Sequence, residues 1–333
     1  MHSVDLSKYN LRTDLLIEKI DDTIKNNHYE IEKIIVDDIT LEKDNLLNKK
    51  EGRYITISYN DVTDRDNYKK VLDILNKCFC EILIDTKIKK DDKCLIIGLG
   101  NRDIISDALG YRTIRNITVT RPLYLLNDYD KRYRNVSILE PNVIGVTGIE
   151  SIDIITGVIE KIKPDFIIAI DSLCASSIDR LNKTIQITNA GIAPGSGIGN
   201  NKKELSYETL NVPVIAIGVP TVVDSGVIVS DTINYLMKKI SYLKNNLNNN
   251  LDKLKPINKV NYLKEDQELN DNEKQEILGL IGLLDSNDIK KLVWEVLSPL
   301  NANMIVTTKE IDFIIEKLSL LISDCLNNTL HSL

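Results

Sequence analysis

Histidine is nearly missing from this chain: only His2, His28 and His331 carry an imidazole among 333 residues, and all three lie towards the ends. Serine and cysteine hydrolases with an imidazole base, and zinc sites held by histidine, need that ring at the chemistry, so these classes are close to excluded. Cysteine is also scarce. Cys78, Cys80, Cys94, Cys174 and Cys325 are odd in number and form no CxxC pair, which fits a reducing compartment and neither a disulfide framework nor a zinc ribbon. Basic charge is in deficit, with a net charge of −7, and a general nucleic-acid binder would need a basic face. The chain contains no apolar run of about 18 residues, and Met1-His-Ser-Val-Asp-Leu-Ser-Lys-Tyr9 lacks the basic-then-apolar pattern of a signal peptide. No membrane partner is expected, and a cytoplasmic location is.

What remains is a chain with 43% hydrophobic and 27% charged residues, long enough to bury a large core as one domain or two small ones. Residues 1–50 are polar with mixed periodicity and suggest short helices or an extended arm. Thr56-Ile-Ser-Tyr59 suggests a strand after Gly52, and Val71, Leu72, Leu75, Cys78, Phe79 and Ile82 give an amphipathic helix from Asn67 to about Thr86. Cys94-Leu-Ile-Ile-Gly-Leu-Gly100 has the continuous apolar character of a buried parallel strand. Ile152, Ile155, Val158, Ile159 and Ile162 mark a helix stopped by Pro164, and Asp165-Phe-Ile-Ile-Ala-Ile170 is a second buried strand, completing a βαβ unit. Thr184-Ile-Gln-Ile-Thr188 and Pro213-Val-Ile-Ala-Ile-Gly-Val219 supply further strands, followed by a helix from about Val227 to Leu243. The Asn/Lys-rich stretch from Lys244 to Lys253 reads as a surface connection. Ser286 precedes a helix at Ile289–Leu297, and Thr307 with Glu310 reads as a capping box opening the stripe Ile311, Ile314, Ile315, Leu318, Ile322 and Cys325. The expected fold is α/β, with a mainly parallel sheet flanked by helices and a helical C-terminal part from about residue 270.

Ligands in an open α/β sheet bind at the carboxyl ends of the strands, and Asp171 closes one of the buried strands. The plain alternative is that Asp171 caps a helix beginning at Ser172. Asp107 lies in the turn after the other buried strand, with Asp103 as a rival and an Asx-turn or cap as the plain alternative for both. Two carboxylates at neighbouring strand ends can share a proton and activate a water. Ser172, Ser196 and Thr221 are nominal nucleophiles without a histidine, and Lys202 and Lys203 stand at no recognised Ser-Lys spacing. The loop Gly195-Ser-Gly-Ile-Gly199 offers backbone N–H groups to a phosphate or a peptide, but lacks the Lys-Ser/Thr of a P-loop, and Gly98-Leu-Gly-Asn-Arg-Asp103 lacks the third glycine of a dinucleotide fingerprint.

The stretch from Thr184 to Glu204, including Asn189-Ala-Gly-Ile-Ala-Pro-Gly-Ser-Gly-Ile-Gly199, closely resembles the Gly-rich core of the germination proteases of spore-forming bacteria. Further collinear segments carry the resemblance from Tyr9 to about Leu330: Arg12-Thr-Asp-Leu15, Lys50-Glu-Gly-Arg-Tyr54, Asp107-Ala-Leu-Gly110, Val119-Thr-Arg121, Thr147-Gly-Ile-Glu150, Lys163-Pro-Asp-Phe-Ile-Ile-Ala-Ile-Asp171, Pro213 to Asp224, and Glu295-Val-Leu-Ser-Pro-Leu300. The resemblance implies an atypical aspartic endopeptidase that degrades small acid-soluble spore proteins in the spore core, with its two essential aspartates at Asp107 and Asp171. It implies a fold like the hydrogenase maturation proteases and assembly as a homotetramer. It further implies a zymogen: residues 1–14 would be a propeptide removed between Asp14 and Leu15, leaving one α/β peptidase domain over 15–333, with Gly195, Ser196, Gly197 and Gly199 contacting substrate. This reading uses no cofactor and no metal. The chain departs from the family's pattern at Ile105-Ser106, at Pro141-Asn-Val-Ile-Gly145, at Ser176 in place of an arginine and at Ala193 in place of a histidine. Both aspartates are kept, so activity is expected. The alternative is a degenerate paralogue, or a phosphate- or nucleotide-binding protein using the Gly195–Gly199 loop.

Overall fold

The computed structural model describes residues 13–20, 26–43, 45, 47, 49–128, 130–193, 204–246, 269–297 and 304–331. The Gly195–Gly199 loop lies outside the described residues. Nine strands are present among them: β1 (Asn26–Ile31), β2 (Ile34–Leu41), β3 (Gly52–Ser58), β4 (Cys94–Gly98), β5 (Val136–Leu139), β6 (Phe166–Ala175), β7 (Thr184–Thr188), β8 (Val214–Asp224) and β9 (Ile305–Val306). The helices are α1 (Arg65–Asp85), α2 (Leu109–Ile114), α3 (Arg121–Leu125), α4 (Ile144–Thr147), α5 (Ser151–Ile162), α6 (Tyr207–Leu210), α7 (Ser225–Asn246), α8 (Asp271–Leu278), α9 (Ser286–Leu297) and α10 (Ile311–Leu330). The chain divides into two compact units. One holds residues 12–175, 179–222 and 307–333; the other includes 176–178 and 223–306.

The first unit is built on a sheet in the order β1-β2-β3-β7-β8-β6-β4-β5. Its β4–β5 and β4–β6 pairs are parallel, as the buried apolar runs and the βαβ unit predict. The β1–β2, β2–β3, β3–β7 and β7–β8 pairs are antiparallel, so the sheet is mixed. Alternation along the strands divides the core into two layers. Cys94, Ile96, Phe166, Ile168 and Ile170 face the apolar sides of α1 and α10, through residues such as Phe79, Ile82, Ile315 and Ile322. Leu95, Ile97, Ile167 and Ala169 face Ile155 and Ile159 of α5. α1 begins where the Asp64 carboxylate accepts from the N–H groups of Asp66 and Asn67, an N-cap that satisfies donors the helix cannot. α5 ends at Lys163, whose φ of 49° is left-handed, directly before Pro164.

Three sequence expectations are corrected here. Asp171 does not cap a helix at Ser172, because β6 continues through it to Ala175. Thr307 does not form a capping box with Glu310: its hydroxyl donates to Thr221 O at 2.6 Å, and α10 starts without a side-chain cap. Lys244 to Asn246 belong to α7 and not to a surface connection.

In the second unit α7 is joined by polar contacts to α8, through the Lys244–Glu273 ion pair, and to α9. Ser230 Oγ donates to Ser286 O at 3.1 Å, and Asn234 Nδ2 to Ser286 Oγ at 2.8 Å. Asn270 and Glu273 form a reciprocal capping box at the start of α8. Trp294 is 3% exposed, and its Nε1 donates to Asp224 Oδ1 at 2.5 Å, while β9 pairs with Val223 and Asp224.

Candidate active site

The segments that carry the two aspartates singled out in the sequence pack backbone against backbone. β4 ends at Gly98, paired with Ile170, and Leu99 N then donates to Ile170 O at 2.8 Å, one residue before Asp171. The chain turns back through Gly100, whose φ of +95° suits glycine, and a Cβ there would lie 2.0 Å from Asp107 O. A one-turn 3-10 segment, Ile105–Asp107, leads into α2. On α2, a Cβ at Gly110 would stand 2.5 Å from Ile170 O, Leu99 N and Leu99 O alike. The Asp107–Gly110 turn therefore seats its backbone directly against Ile170, within β6 and next to Asp171. Only glycine permits that approach.

Each carboxylate is oriented by backbone. Asp107 is half-buried and its Oδ2 accepts from Asn101 N at 2.7 Å, six residues back across the turn, while the N-cap position of α2 falls to Ala108. Asp171 is 4% exposed and its Oδ1 accepts from Ser172 N at 2.9 Å. The rival Asp103 faces solvent, with its side chain 66% exposed beside Arg102. The turn is fixed from a third strand: Thr221 on β8 is fully buried and donates its hydroxyl to Ser106 O at 2.6 Å. That bond makes Thr221 a support for the turn and not a nucleophile, a role that no spacing in the sequence signals.

Neither described histidine serves these carboxylates. His28 bonds Asp37 Oδ1 at 2.7 Å on the β1–β2 hairpin. His331 receives Arg134 N at its Nδ1, 3.2 Å, and its Nε2 lies 3.2 Å from Thr118 O. Among the described residues no group of three or more His, Cys, Asp or Glu is placed to hold a metal ion.

Ile192 and Leu205 bridge antiparallel, and Lys50 Nζ reaches Ser206 Oγ at 3.0 Å, Glu204 at 3.0 Å and Glu208. Ala193 is half-buried. Ser176, the other departure noted in the sequence, lies in the second unit, where its carbonyl accepts from Lys290 Nζ at 2.8 Å.

Asp14 and Leu15 are held in the first unit. Asp14 N donates to Cys174 O at 3.1 Å, and its Oδ2 accepts from Cys174 N at 2.9 Å, three residues along β6 from Asp171. Asp14 O accepts from Lys49 Nζ at 3.3 Å and from Gln186 Nε2 at 3.5 Å. Burial pushes the Lys49 ammonium below its ordinary value, with Lys19 adding to the fall and Asp14 opposing it. Leu15 and Leu16 are fully buried, and Leu16 packs with Ile39, Leu41 and Tyr54.

Fold and site together define an α/β protein with one aspartate, Asp107, in the turn after β4 and another, Asp171, within the neighbouring strand β6. The chain belongs to the germination protease family: the family model described as Germination protease (peptidase family A25) matches residues 9–333. Curated relatives agree over nearly full length. The Germination protease of Geobacillus sp. (strain WCH70) is 40% identical, covering 99% of this chain and 96% of that protein. That of Bacillus velezensis (strain DSM 23117 / BGSC 10A6 / LMG 26770 / FZB42) is 41% identical over 99% and 96%, and that of Priestia megaterium (strain ATCC 12872 / QMB1551) 40% over 98% and 95%. Among solved structures, the [NiFe] hydrogenase maturation protease HycI from Thermococcus kodakarensis KOD1 is 16% identical, covering 43% of this chain and 80% of that one with a TM-score of 0.29. The family is one of peptidases, hydrolases of the peptide bond, named for proteolysis at spore germination. No helix among the described residues is long and apolar enough to cross a membrane.

Proposed function

We propose that this protein is an endopeptidase of the spore core that cleaves small acid-soluble spore proteins at germination, with Asp107 and Asp171 as its catalytic pair. The observation that supports the reading is the seating of the Asp107–Gly110 turn against Leu99 and Ile170, the residue before Asp171 in β6. Two such carboxylates repel when both are ionised, so one keeps a proton. The ionised member takes a proton from water as its oxygen attacks the carbonyl carbon of the peptide bond, and the protonated member donates to the carbonyl oxygen. Collapse of the tetrahedral adduct expels the amine, which takes up the transferred proton. General acid–base help of this kind is worth about 10²–10⁴-fold.

The protein is made, on this reading, as a zymogen that removes residues 1–14 at Asp14–Leu15, and its mature form assembles as a homotetramer. Gly195, Ser196, Gly197 and Gly199 serve as substrate-contacting residues on the same reading. Incubating the full-length chain, and a chain lacking residues 1–14, with a purified small acid-soluble spore protein tests this directly. Defined fragments from the shortened chain support it. A folded protein that leaves the substrate intact while binding a nucleotide tightly would instead identify a degenerate relative that uses the loop for phosphate.

A further inference from the structure

Residues 13–18 form a short buried relay. Leu15 N donates to Thr13 Oγ1 at 3.1 Å, and the same hydroxyl donates to Glu18 Oε2. Leu15 is fully buried, and the Glu18 side chain is only 4% exposed. One oxygen atom, belonging to Thr13, thus stands between the nitrogen of Leu15 and a buried carboxylate.

We infer that maturation converts this relay into a direct ion pair, in which the new α-ammonium of Leu15 takes the place of the Thr13 hydroxyl against Glu18. The inference rests on the proposed cut after Asp14. In that cut, water adds across the Asp14–Leu15 bond. Its oxygen stays on the Asp14 carbonyl carbon as a carboxylate, and the Leu15 nitrogen leaves as an amine and is protonated. Thr13 departs with the propeptide, so the hydroxyl that held the carboxylate is lost at the step that creates a cation beside it. A cation placed at a fully buried position is costly without a partner. The neighbouring groups sharpen the requirement, since Arg180 Nε stands 3.9 Å from Glu18 Oε1 and Lys49 Nζ reaches Asp14 O at 3.3 Å. Both are positive, and Lys19 adjoins the turn, so the carboxylate of Glu18 balances the new charge. Leu16 N stays bonded to Gln186 Oε1 at 2.7 Å and holds the 3-10 turn Leu16–Glu18 beside the vacated site.

The test is a four-chain cycle made without self-processing, by releasing chains from a fusion with an unrelated protease. Chains begin either at Leu15 or with one glycine before Leu15, which carries the ammonium out of the site, and each start is made with Glu18 and with Glu18→Gln. Thermal unfolding is read at pH 6.5. Glu18→Gln should lower the Tm of the Leu15-start chain by about 4 °C or more, and that of the glycine-extended chain by much less. With Glu18 intact, the Leu15 start should melt above the extended one, a comparison that needs no substitution. Equal effects of Glu18→Gln in both starts, or equal melting of the two starts, would overturn the pair. N-terminal sequencing of the self-processed protein stands apart: a cut elsewhere removes the zymogen reading, whereas the four chains decide the ion pair.

Discussion

At the residue scale, a hydroxyl's worth depends on what its proton faces. Thr221 and Ser172 look alike in the sequence as nominal nucleophiles, yet Thr221 spends its proton on Ser106 O, within the turn that carries Asp107. Thr221→Val keeps the shape and deletes that bond, which contributes about 1 kcal/mol net. The expected result is a roughly tenfold fall in kcat with KM nearly unchanged, because the carboxylate is displaced while the substrate surface is not. A variant less stable but equally fast would make the bond purely structural. Choosing between Asp103 and Asp107 was beyond pattern reading, since both occupy the same turn. The distinction is one of exposure: Asp103 points to water, and Asp107 is half-buried with its carboxylate on Asn101 N. Asp103→Asn should therefore leave cleavage close to wild type.

At the scale of elements, legibility followed how strongly burial stamps a period on the sequence. β4, β7, β8, α1, α5 and α10 carry long apolar runs or stripes, and their existence was readable from these alone. The β1–β2 hairpin was not. β1 reads Asn-Asn-His-Tyr-Glu-Ile, almost wholly exposed, and its turn uses Glu32 and Lys33 at φ 49° and 70° where asparagine and glycine would be the usual signal. β5 is too short, at four residues, to announce itself. β6 was cut short in reading because Asp171 and Ser172 interrupt its apolar run, which is where the candidate site lies. The junction of α2 with β4 and β6 depends on Gly110, so Gly110→Ala should destabilise the protein by about 1–3 kcal/mol, since the Cβ meets backbone atoms that cannot rotate away. Denaturant unfolding checks this, and an unchanged midpoint would mean that the turn is not seated as described.

At the scale of the whole molecule, the C-terminal end of α10 is tied in by a titratable group. His331 is buried, bonded to Arg134 N and lying against Thr118 O; burial and, to a lesser degree, Arg134 hold its pKa below the ordinary value, against the Thr118 contact. The folded protein thus prefers the neutral ring, and the unfolded chain binds the proton more readily. This contribution is present above an unfolded pKa of about 6.5 and is lost as pH falls through the folded value. Stability should therefore drop on acidification below about 6.5, and His331→Gln should flatten that part of the pH–stability curve. An equal slope in the variant would place the titration elsewhere.

The central claim is that two carboxylates, carried by segments that pack backbone against backbone, perform the hydrolysis. Its most direct measurement is kcat/KM of Asp107→Asn and of Asp171→Asn, each in the chain starting at Leu15, on one fixed spore-protein substrate, with folding verified by thermal unfolding. Asparagine keeps the volume and removes the ionisable group, so each variant should fold and lose about 10²-fold or more. Activity within about tenfold of wild type in either folded variant would contradict the account.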